Sequence, residues 1–513
     1  MSRGSTISSR TWHFIGQSCM PRDGKALKRT GCLQKWVAAG LCVWIAGGVG
    51  WTSNAPAAEE PSGTVIGSSE DTGFGLEKLK ERTRVITTQT VAPAAGGAVT
   101  NLPATTWEWH LGWVDWDGLH FELRHRTLLS ERISRITNLH AVVLEETKMA
   151  GKIGAKIAVD AAAFATSGDL DGFDNGTELR RARIYAKGDC LLVLPVSYQI
   201  EVGYIPEEFY LENSYLRFHN VGFLGDLQLG QFQVPMGLVN YGSSRDMMFM
   251  ESASPLQALA PGVNAGVPSG APDARRARHL GGRSFHRRGG DDFGDATKGF
   301  GRMVARMTGL PIYDFDPQSP GRQRLLHLGL SGSLLYAGDS TVRFRSRPES
   351  HLAPYVVDTG EIAAEGSYGA GVEAAWVQGP LCVQGEFLHT WVRGADGVHE
   401  SFHGLYASVN WFLTGESRPY DRKKGIFDRV VPRQNFNFGE GGWGAWELTA
   451  RCSYLDLDDG NIDGGRLSML MAGVNWHLHS HVKWRFNYGF GHVTQAGDGD
   501  SLNVFQTRIE FDF

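Results

Sequence analysis

The chain has 513 residues, 42% hydrophobic and 20% charged, enough for one large barrel or for several ordinary domains. A net charge of −5 gives no reason to expect nucleic acid as a partner. Past the N-terminal leader no segment approaches about eighteen consecutive apolar residues, which argues against a helical membrane protein. Many short alternating segments separated by Gly and Asp argue for all-β structure.

The leader comes first. Lys25 to Lys35 is basic, Trp36 to Val49 is apolar, and Ala55-Pro56-Ala57 offers a small-residue cleavage site. This is the pattern of a secretory signal peptide over residues 1–57; the apolar core is short for a membrane anchor. The run before Lys25 is long for a signal, which points to Met20 as the true start. Three of the six cysteines, Cys19, Cys32 and Cys42, lie in this leader. Cys190, Cys382 and Cys452 are widely spaced, without a metal-binding interval, and read as small wall residues.

From Glu59 to about Thr105 the composition shifts to Pro, Ala, Gly, Ser and Thr, so residues 58–105 read as a linker-like periplasmic extension. Leu76 and Leu79 with the charges between them suggest two helical turns, marginal alone. Trp107 to Leu123 is rich in tryptophan, which favours a boundary between apolar and wet surroundings. It reads as an interfacial strand or plug segment, or else as a sugar-stacking surface. The barrel proper is expected over 106–513.

A strand ladder comes next. In Lys152 to Phe164, Ile153, Ile157 and Val159 fall on one face, Lys156 and Asp160 on the other. Arg181, Arg183 and Lys187 alternate with Ala182, Ile184 and Ala186. Val196, Tyr198, Ile200, Val202 and Tyr204 alternate with Ser197, Gln199 and Glu201. Tyr215 and Arg217 alternate with Leu216 and Phe218. Leu326, Leu328 and Leu330 oppose His327, Gly329 and Ser331; Val342 and Phe344 oppose Arg343 and Arg345; Trp446, Leu448 and Ala450 oppose Glu447, Thr449 and Arg451. The chain ends with Phe505, Thr507, Ile509, Phe511 and Phe513 alternating with Gln506, Arg508, Glu510 and Asp512. A soluble sandwich would bury the apolar face, whereas a membrane barrel turns it to lipid and keeps charges in the lumen. The signal peptide, the aromatic residues near strand ends and this last strand favour the barrel, and with it the outer membrane.

The stretch from Gly225 to Gly262 breaks the rhythm. Leu227 and Leu229 alternate as in a half-buried strand. Pro235 cannot donate to a ladder, so the strand ends there. The residues after it make too long a connection for a hairpin turn and have no clear period: a loop folded into a barrel's mouth. Arg275 to Arg288 is a second break, with six arginines, two histidines and no strand period. It reads as a basic anion-attracting loop, or as a compensated frameshift over an ordinary strand. Taken as written, it leaves a damaged strand and an unpaired edge, which a membrane does not tolerate.

Several of these stretches resemble one family. Gly230-Gln231-Phe232 with Pro235-Met236-Gly237, then Phe249-Met250-Glu251, then Ala258-Leu259-Ala260-Pro261-Gly262, resemble the phosphate-selective porins O and P of bacterial outer membranes. So do Arg345-Ser346-Arg347-Pro348-Glu349-Ser350 with Asp358-Thr359-Gly360, and Phe412-Leu413-Thr414-Gly415-Glu416-Ser417-Arg418-Pro419-Tyr420. Gly444-Ala445-Trp446-Glu447-Leu448 and Gly473-Val474-Asn475-Trp476 are similar to the family's last strands. The resemblance covers about Lys152 to Phe513. It implies a trimeric barrel of about sixteen strands, with an inward-folded constriction loop and arginines along the lumen that favour phosphate.

A barrel conducts what fits its narrowest point, and ring charge sets the sign. A guanidinium presents a fork of donors to an oxyanion and stays charged. Arg181, Arg183, Lys187, Arg217, Arg343, Arg345, Arg451 and Arg508 occupy lumen-facing registers and are the candidate anion path. The alternative is that they pair with lumen acids such as Glu201, Glu386, Glu447 and Glu510. The constriction loop supplies Gln233, Arg245, Met248, Met250 and Glu251, with Met247 beside them. Where the family often has lysine this chain has Gln233, and Ser252 follows Glu251 where arginine is frequent, so the loop is poor in cations.

The expectation is therefore a porin passing small inorganic anions by diffusion, phosphate or polyphosphate among them. The alternatives are a general or weakly cation-selective porin and a non-conducting structural or adhesive barrel. His389, His399 and His403 flank turns and no Ser-His-acid set is visible, so no enzymatic chemistry and no cofactor is implied. The Asp-rich turns from Asp456 to Asp463 and Asp498 to Asp500 read as solvated turns, or as sites for calcium or lipopolysaccharide-bridging cations. Outer-membrane lipid and two further copies of the chain are the other expected partners.

Overall fold

The computed structural model describes residues 84–88, 105–115, 118–128, 141–168, 170–191, 195–205, 208–221, 225–266, 269–270, 272–273, 276–285, 301–315, 321–337, 341–439, 441–495 and 497–513. The leader, the helical turns around Leu76 and most of the linker lie outside these residues.

The wall is antiparallel throughout. Its strands are β1 (Ala141–Thr166), β2 (Gly176–Leu191), β3 (Pro195–Ile205), β4 in two pieces (Glu208–Leu211 and Ser214–Phe218) and β5 (Asp226–Gln233). After a long connection come β6 in three pieces (Val263–Gly266, Ser269–Gly270 and Pro272–Asp273), β7 (Arg276–Phe285), β8 (Arg302–Asp314) and β9 (Arg324–Tyr336). The remainder are β10 (Ile362–Gln378), β11 (Leu381–Gly394), β12 (His399–Phe412), β13 (Ala445–Asp459), β14 (Ile462–His479), β15 (Val482–Gln495) and β16 (Asp498–Asp512). Each pairs with the next, and β16 returns to β1 through Phe505↔Ala163 and Ile509↔Val159. Among the described residues the circuit of pairings closes on itself after sixteen strands, with the broken strands β4 and β6 each counted once. A closed circuit is what lipid demands of a spanning sheet.

The alternation holds residue by residue. Ile184 is 64% exposed and Leu330 54%, while Glu201, His327 and Arg508 are 0% exposed. The apolar face looks outward to lipid and the polar face inward.

Two expectations are corrected. Arg276–Phe285 is strand β7, paired with β6 on one side and with β8 on the other. Its ladder rests on backbone groups, which need no side-chain period, and among the described residues it is flanked on both sides. Val342, Phe344 and their neighbours do alternate, but they belong to the connection between β9 and β10. Thr341–Val342 pairs with the start of β10, and Arg345–Ser346 pairs with Val357–Asp358. The apolar face of that alternation packs on protein: Val342 and Phe344 are buried, with the Phe344 ring 5.3 Å from Phe402.

Below the wall β1 runs on. Its first half pairs with Gly118–Leu128, itself paired with Thr105–Asp115, and its first residues pair with Arg84–Thr88. The tryptophan-rich stretch is therefore a hairpin beside β1, and one piece of the linker-like region is a strand. Long connections lie mostly at the opposite end of the barrel, which marks that end as extracellular and this one as periplasmic.

Candidate functional site

Three connections fold into the barrel. The first, from Val234 to Gly262, crosses the lumen between β5 and β6. It starts at Pro235, and Gly237 turns it with φ +83°, where a Cβ would stand 2.4 Å from a Glu386 carboxylate oxygen. That carboxylate accepts the Leu238 and Val239 N–H groups at 2.8 and 3.0 Å. Glycine is needed at this close approach. Further along, Asn487 accepts the Met250 N–H at 3.0 Å and Asn475 donates to the Met248 carbonyl at 2.7 Å. Arg485 donates to the Phe249 carbonyl at 2.7 Å, Arg508 to the Met250 carbonyl at 2.6 Å and Arg451 to the Glu251 carbonyl at 3.1 Å. The loop's backbone is thus satisfied by side chains of β11 and β13–β16, as a buried irregular segment requires.

The second connection enters from the extracellular side. Glu349, in the left-handed region at φ 54° and fully buried, is its anchor. Its carboxylate accepts the Ser254 N–H at 3.0 Å, at the start of the short helix α1 (Ser254–Leu259), and the Arg451 Nε at 3.0 Å. Non-glycine residues occupy this region at a cost, and an over-determined contact holds them there. The third connection, Leu413 to Gly444, enters from the periplasmic end. Arg418 bonds Glu447 and the Asp246 carbonyl, and Tyr420 meets His327 Nδ1 at 2.6 Å. Arg306 donates to the Lys424 and Gly425 carbonyls at 3.1 and 2.7 Å.

The candidate path residues sort by partner. Arg508 forks onto Asp160 at 2.6 Å and reaches Glu251 at 2.6 Å. Arg451 binds Glu349 and lies 4.2 Å from the Phe249 ring centre. Arg183 contacts Glu212 at 3.0 Å and Glu201 at 3.5 Å. Arg217 donates to Gln228 at 2.8 Å. Arg343 and Arg345 are not on the wall: Arg343 pairs with Asp358, and Arg345 stacks on Tyr355 at 3.9 Å. Of the acids, Glu201 takes Lys156 and Arg183, Glu447 takes Arg418 and His477, and Glu510 takes Arg485. Glu386 serves backbone and Tyr406 instead.

Arg181 and Lys187 differ from these. Arg181 is 6% exposed; among the described residues its Nε and Nη1 have no hydrogen-bond partner, and the nearest carboxylate oxygen, of Glu510, lies 3.9 Å away. Among the described residues Lys187 meets only the Tyr185 ring, at 5.2 Å. It stands directly opposite Lys152 across β1–β2, an unfavourable like-charge pair, with Lys156, Arg245 and Lys424 also acting on it. Two stacked cationic levels result, an arginine level above and a lysine level below.

Alternation missed Arg180. The register of β1–β2 shifts between Ala158 and Val159, so Ala158 faces Arg181 and Val159 faces Leu179. Arg180 is the extra residue of a β-bulge, and both arginines turn inward. Arg180 contacts Glu251 at 3.0 Å. Burial pushes the Glu251 carboxyl up, but Arg180, Arg508 and Arg181 pull it further down, well below the usual carboxylate range. In the same loop Arg245 binds Asp246 and Asp512 at 3.0 and 2.9 Å, Gln233 donates to Asn240 at 3.1 Å, and Met248 and Met250 are buried.

A Ser-His-acid contact was also missed, since its members are distant in sequence. Ser197 Oγ lies 2.7 Å from His219 Nε2, and His219 Nδ1 lies 2.9 Å from Asp226. The same hydroxyl lies 2.5 Å from Asp189. His389 and His403 stack at 5.9 Å on the lipid side. In the Asp-rich turns, Asp456 and Asp458 take Arg466 at 3.1 and 3.3 Å.

The family model for phosphate-selective porins O and P matches residues 152–513. An uncharacterized protein of Caulobacter vibrioides is 33% identical over 201 residues, 37% of this chain and 40% of the relative. Porin O of Pseudomonas aeruginosa is 29% identical over 157 residues, 28% of this chain and 34% of the relative. The matches thus span well under half the length of either relative. Among solved structures, OmpT of Vibrio cholerae aligns at TM-score 0.45 with 10% identity, over 71% of this chain and 98% of that one. The anion-selective porin from Comamonas acidovorans aligns at TM-score 0.44 with 12% identity, over 71% and 100%. With the family model covering the whole wall from mid-β1 to the last strand, the chain belongs to the phosphate-selective porin O and P family and is a porin of the outer membrane.

Proposed function

We propose that the barrel passes small inorganic anions by diffusion, and that Arg181 and Lys187 carry the selectivity. The observation behind this is the pair of partnerless donors on Arg181. A buried guanidinium nitrogen without an acceptor is costly, and such an atom in a lumen marks a place for a transient anion. Arg508 and Arg180 add positive potential around it, and Lys152 and Lys156 do so around Lys187. The other candidates, Arg451 and Arg508 above all, hold the inward connections in place. Phosphate suits the two levels, since a guanidinium binds it by a fork and an ammonium as a point charge.

A weakly selective pore has one observation in its favour: Glu251, Asp160 and Glu510 lie among the arginines and offset much of their charge. The zero-current potential of purified protein in a planar bilayer, across a potassium chloride gradient, separates the two. Anion-selective sign with chloride current blocked by added phosphate is the expected result; a potential near zero or of cation-selective sign overturns it.

We infer further that the chain is not a hydrolase. Asp189 competes with His219 for the Ser197 hydroxyl proton, so the serine is not left to the imidazole as a nucleophile's must be. Assembly as a homotrimer in outer-membrane lipid is part of the same proposal, and the mass of the detergent-extracted complex tests it.

A further inference from the structure

The third connection has two halves. Its first enters the lumen; its second, Val430 to Gly444, returns beneath the rim. Here Phe438 is 96% exposed and Trp443 69%. A single exposed apolar residue needs no explanation, whereas a continuous aromatic surface does. The Phe436 ring lies 4.5 Å from Phe438 and 4.9 Å from Trp476, and Trp476 stacks on Trp446 at 5.0 Å. Trp446, Trp476 and Trp484 stand opposite one another across β13, β14 and β15. They share the outward register with Leu448, 38% exposed, and so close the lipid-facing band.

Several polar atoms of this surface are already used. The Trp446 and Trp476 indole N–H groups both donate to the Trp443 carbonyl, at 3.2 and 2.9 Å. Phe436 N–H donates to the Leu478 carbonyl at 2.7 Å, and Asn437 N–H to the Gly442 carbonyl at 3.0 Å. Asn437 Oδ1 accepts the Gly439 N–H at 3.0 Å. Arg433, Gln434 and Asn435 beside it are exposed and polar. Backbone bonds at its base, exposed aromatic rings and a polar flank suit a segment to a membrane interface.

We propose that the hairpin closed by Asn437 and Gly442 sets the Phe436, Phe438 and Trp443 side chains into the periplasmic leaflet of the outer membrane, as a lipid anchor for the third connection. Lipid is the occupant because the surface continues the lipid-facing band without a break. The connection then grips the membrane with one half and the lumen with the other, so the hairpin holds the segment carrying Arg418 and Tyr420 in place.

The test is a fluorescent label at F438C, in full-length protein with its other cysteines replaced by alanine, reconstituted in phospholipid vesicles. An environment-sensitive dye should emit blue-shifted, be quenched by nitroxide-bearing lipid, and be several-fold less quenched by iodide than the same dye at D396C, an exposed extracellular position. Iodide quenching equal to that control would overturn the proposal. So would a blue-shifted dye reached by neither quencher, because a second copy of the chain would then cover the hairpin. Assembly is checked by heat-modifiable migration, and G439C reads the same depth if F438C fails to assemble.

Discussion

The two sides of the lumen wall follow one alternation and end with different chemistry. On β13–β16, Arg451, Arg485 and Arg508 each meet a carboxylate and a carbonyl of the inward loop. On β2, Arg181 comes no nearer to a carboxylate than 3.9 Å, and Lys187 meets only the Tyr185 ring among the described residues. A lumen-facing cation is therefore either a fastener or an ion site, and its register does not say which. The fasteners are buried, and a buried pair broken on one side leaves an unpaired charge, worth about 3–5 kcal/mol.

The largest expected effect accordingly falls on the fasteners. Arg508→Met strands Asp160, leaves Glu251 with Arg180 alone and releases the Met250 carbonyl. Stability should fall by about 3–5 kcal/mol, read as a lower temperature for loss of the heat-modifiable folded band. Single-channel current should become larger and noisier as the loop loosens. An Arg508→Met channel with unchanged melting and current would mean that the loop is held elsewhere.

Arg181→Gln should do the reverse. Melting should stay close to that of the parent, because no ion pair closer than the 3.9 Å Glu510 contact is lost. Hydrogen bonds to charged groups are worth about 1.5–3 kcal/mol, so the phosphate concentration that half-blocks chloride current should rise roughly tenfold or more. Lys187→Gln should act in the same direction more weakly, since an ammonium makes no bidentate fork. If Arg181→Gln melts early and conducts normally, the sides have exchanged roles.

Glu251 joins the two sides, bonding Arg180 on β2 and Arg508 on β16. Its carboxyl lies below the ordinary value of about 4.3, so its contribution is fully present above that pH and is lost as pH falls through the depressed value. The loop should therefore stay fastened from neutral pH to about pH 4 and loosen only in stronger acid. Glu251→Gln should remove this acid transition and, by removing the carboxylate shared by Arg180 and Arg508, move the zero-current potential toward anion selectivity already at neutral pH. A potential that did not move would place Glu251 outside the ion path.

Much of the wall was legible because a lipid-facing strand obeys a period of two over many residues, as Ile184 and Glu201 illustrate. The same period misled at Val342 and Phe344, where the apolar face meets protein. Alternation cannot tell lipid from a packed lumen. It also hid Arg180, because a bulge adds one residue without a sequence mark. The motifs that carry the family resemblance proved to be anchors: Gly237 under Glu386, Glu349 on α1, Arg418 and Asn475 on Glu447. Arg181, the strongest ion-site candidate, lies in none of them. Such motifs are therefore strong on fold and weak on selectivity, since here they anchor loops while the ion-site candidate lies outside them.

The smallest effect should come from the extracellular mouth. Alternation puts Arg343 on the wall, yet it pairs with Asp358 on a solvent-exposed hairpin. Burial raises the Asp358 carboxyl and the Arg343 contact lowers it, leaving it below its ordinary value. Exposed pairs are screened by salt over about 10 Å at 0.1 M. Arg343→Ala should leave melting unchanged and reduce phosphate block only at low ionic strength, the difference vanishing near 1 M salt. A salt-independent loss would make Arg343 a contact residue of the path, and the free cations would then form a line from mouth to lysine level instead of a patch on β2.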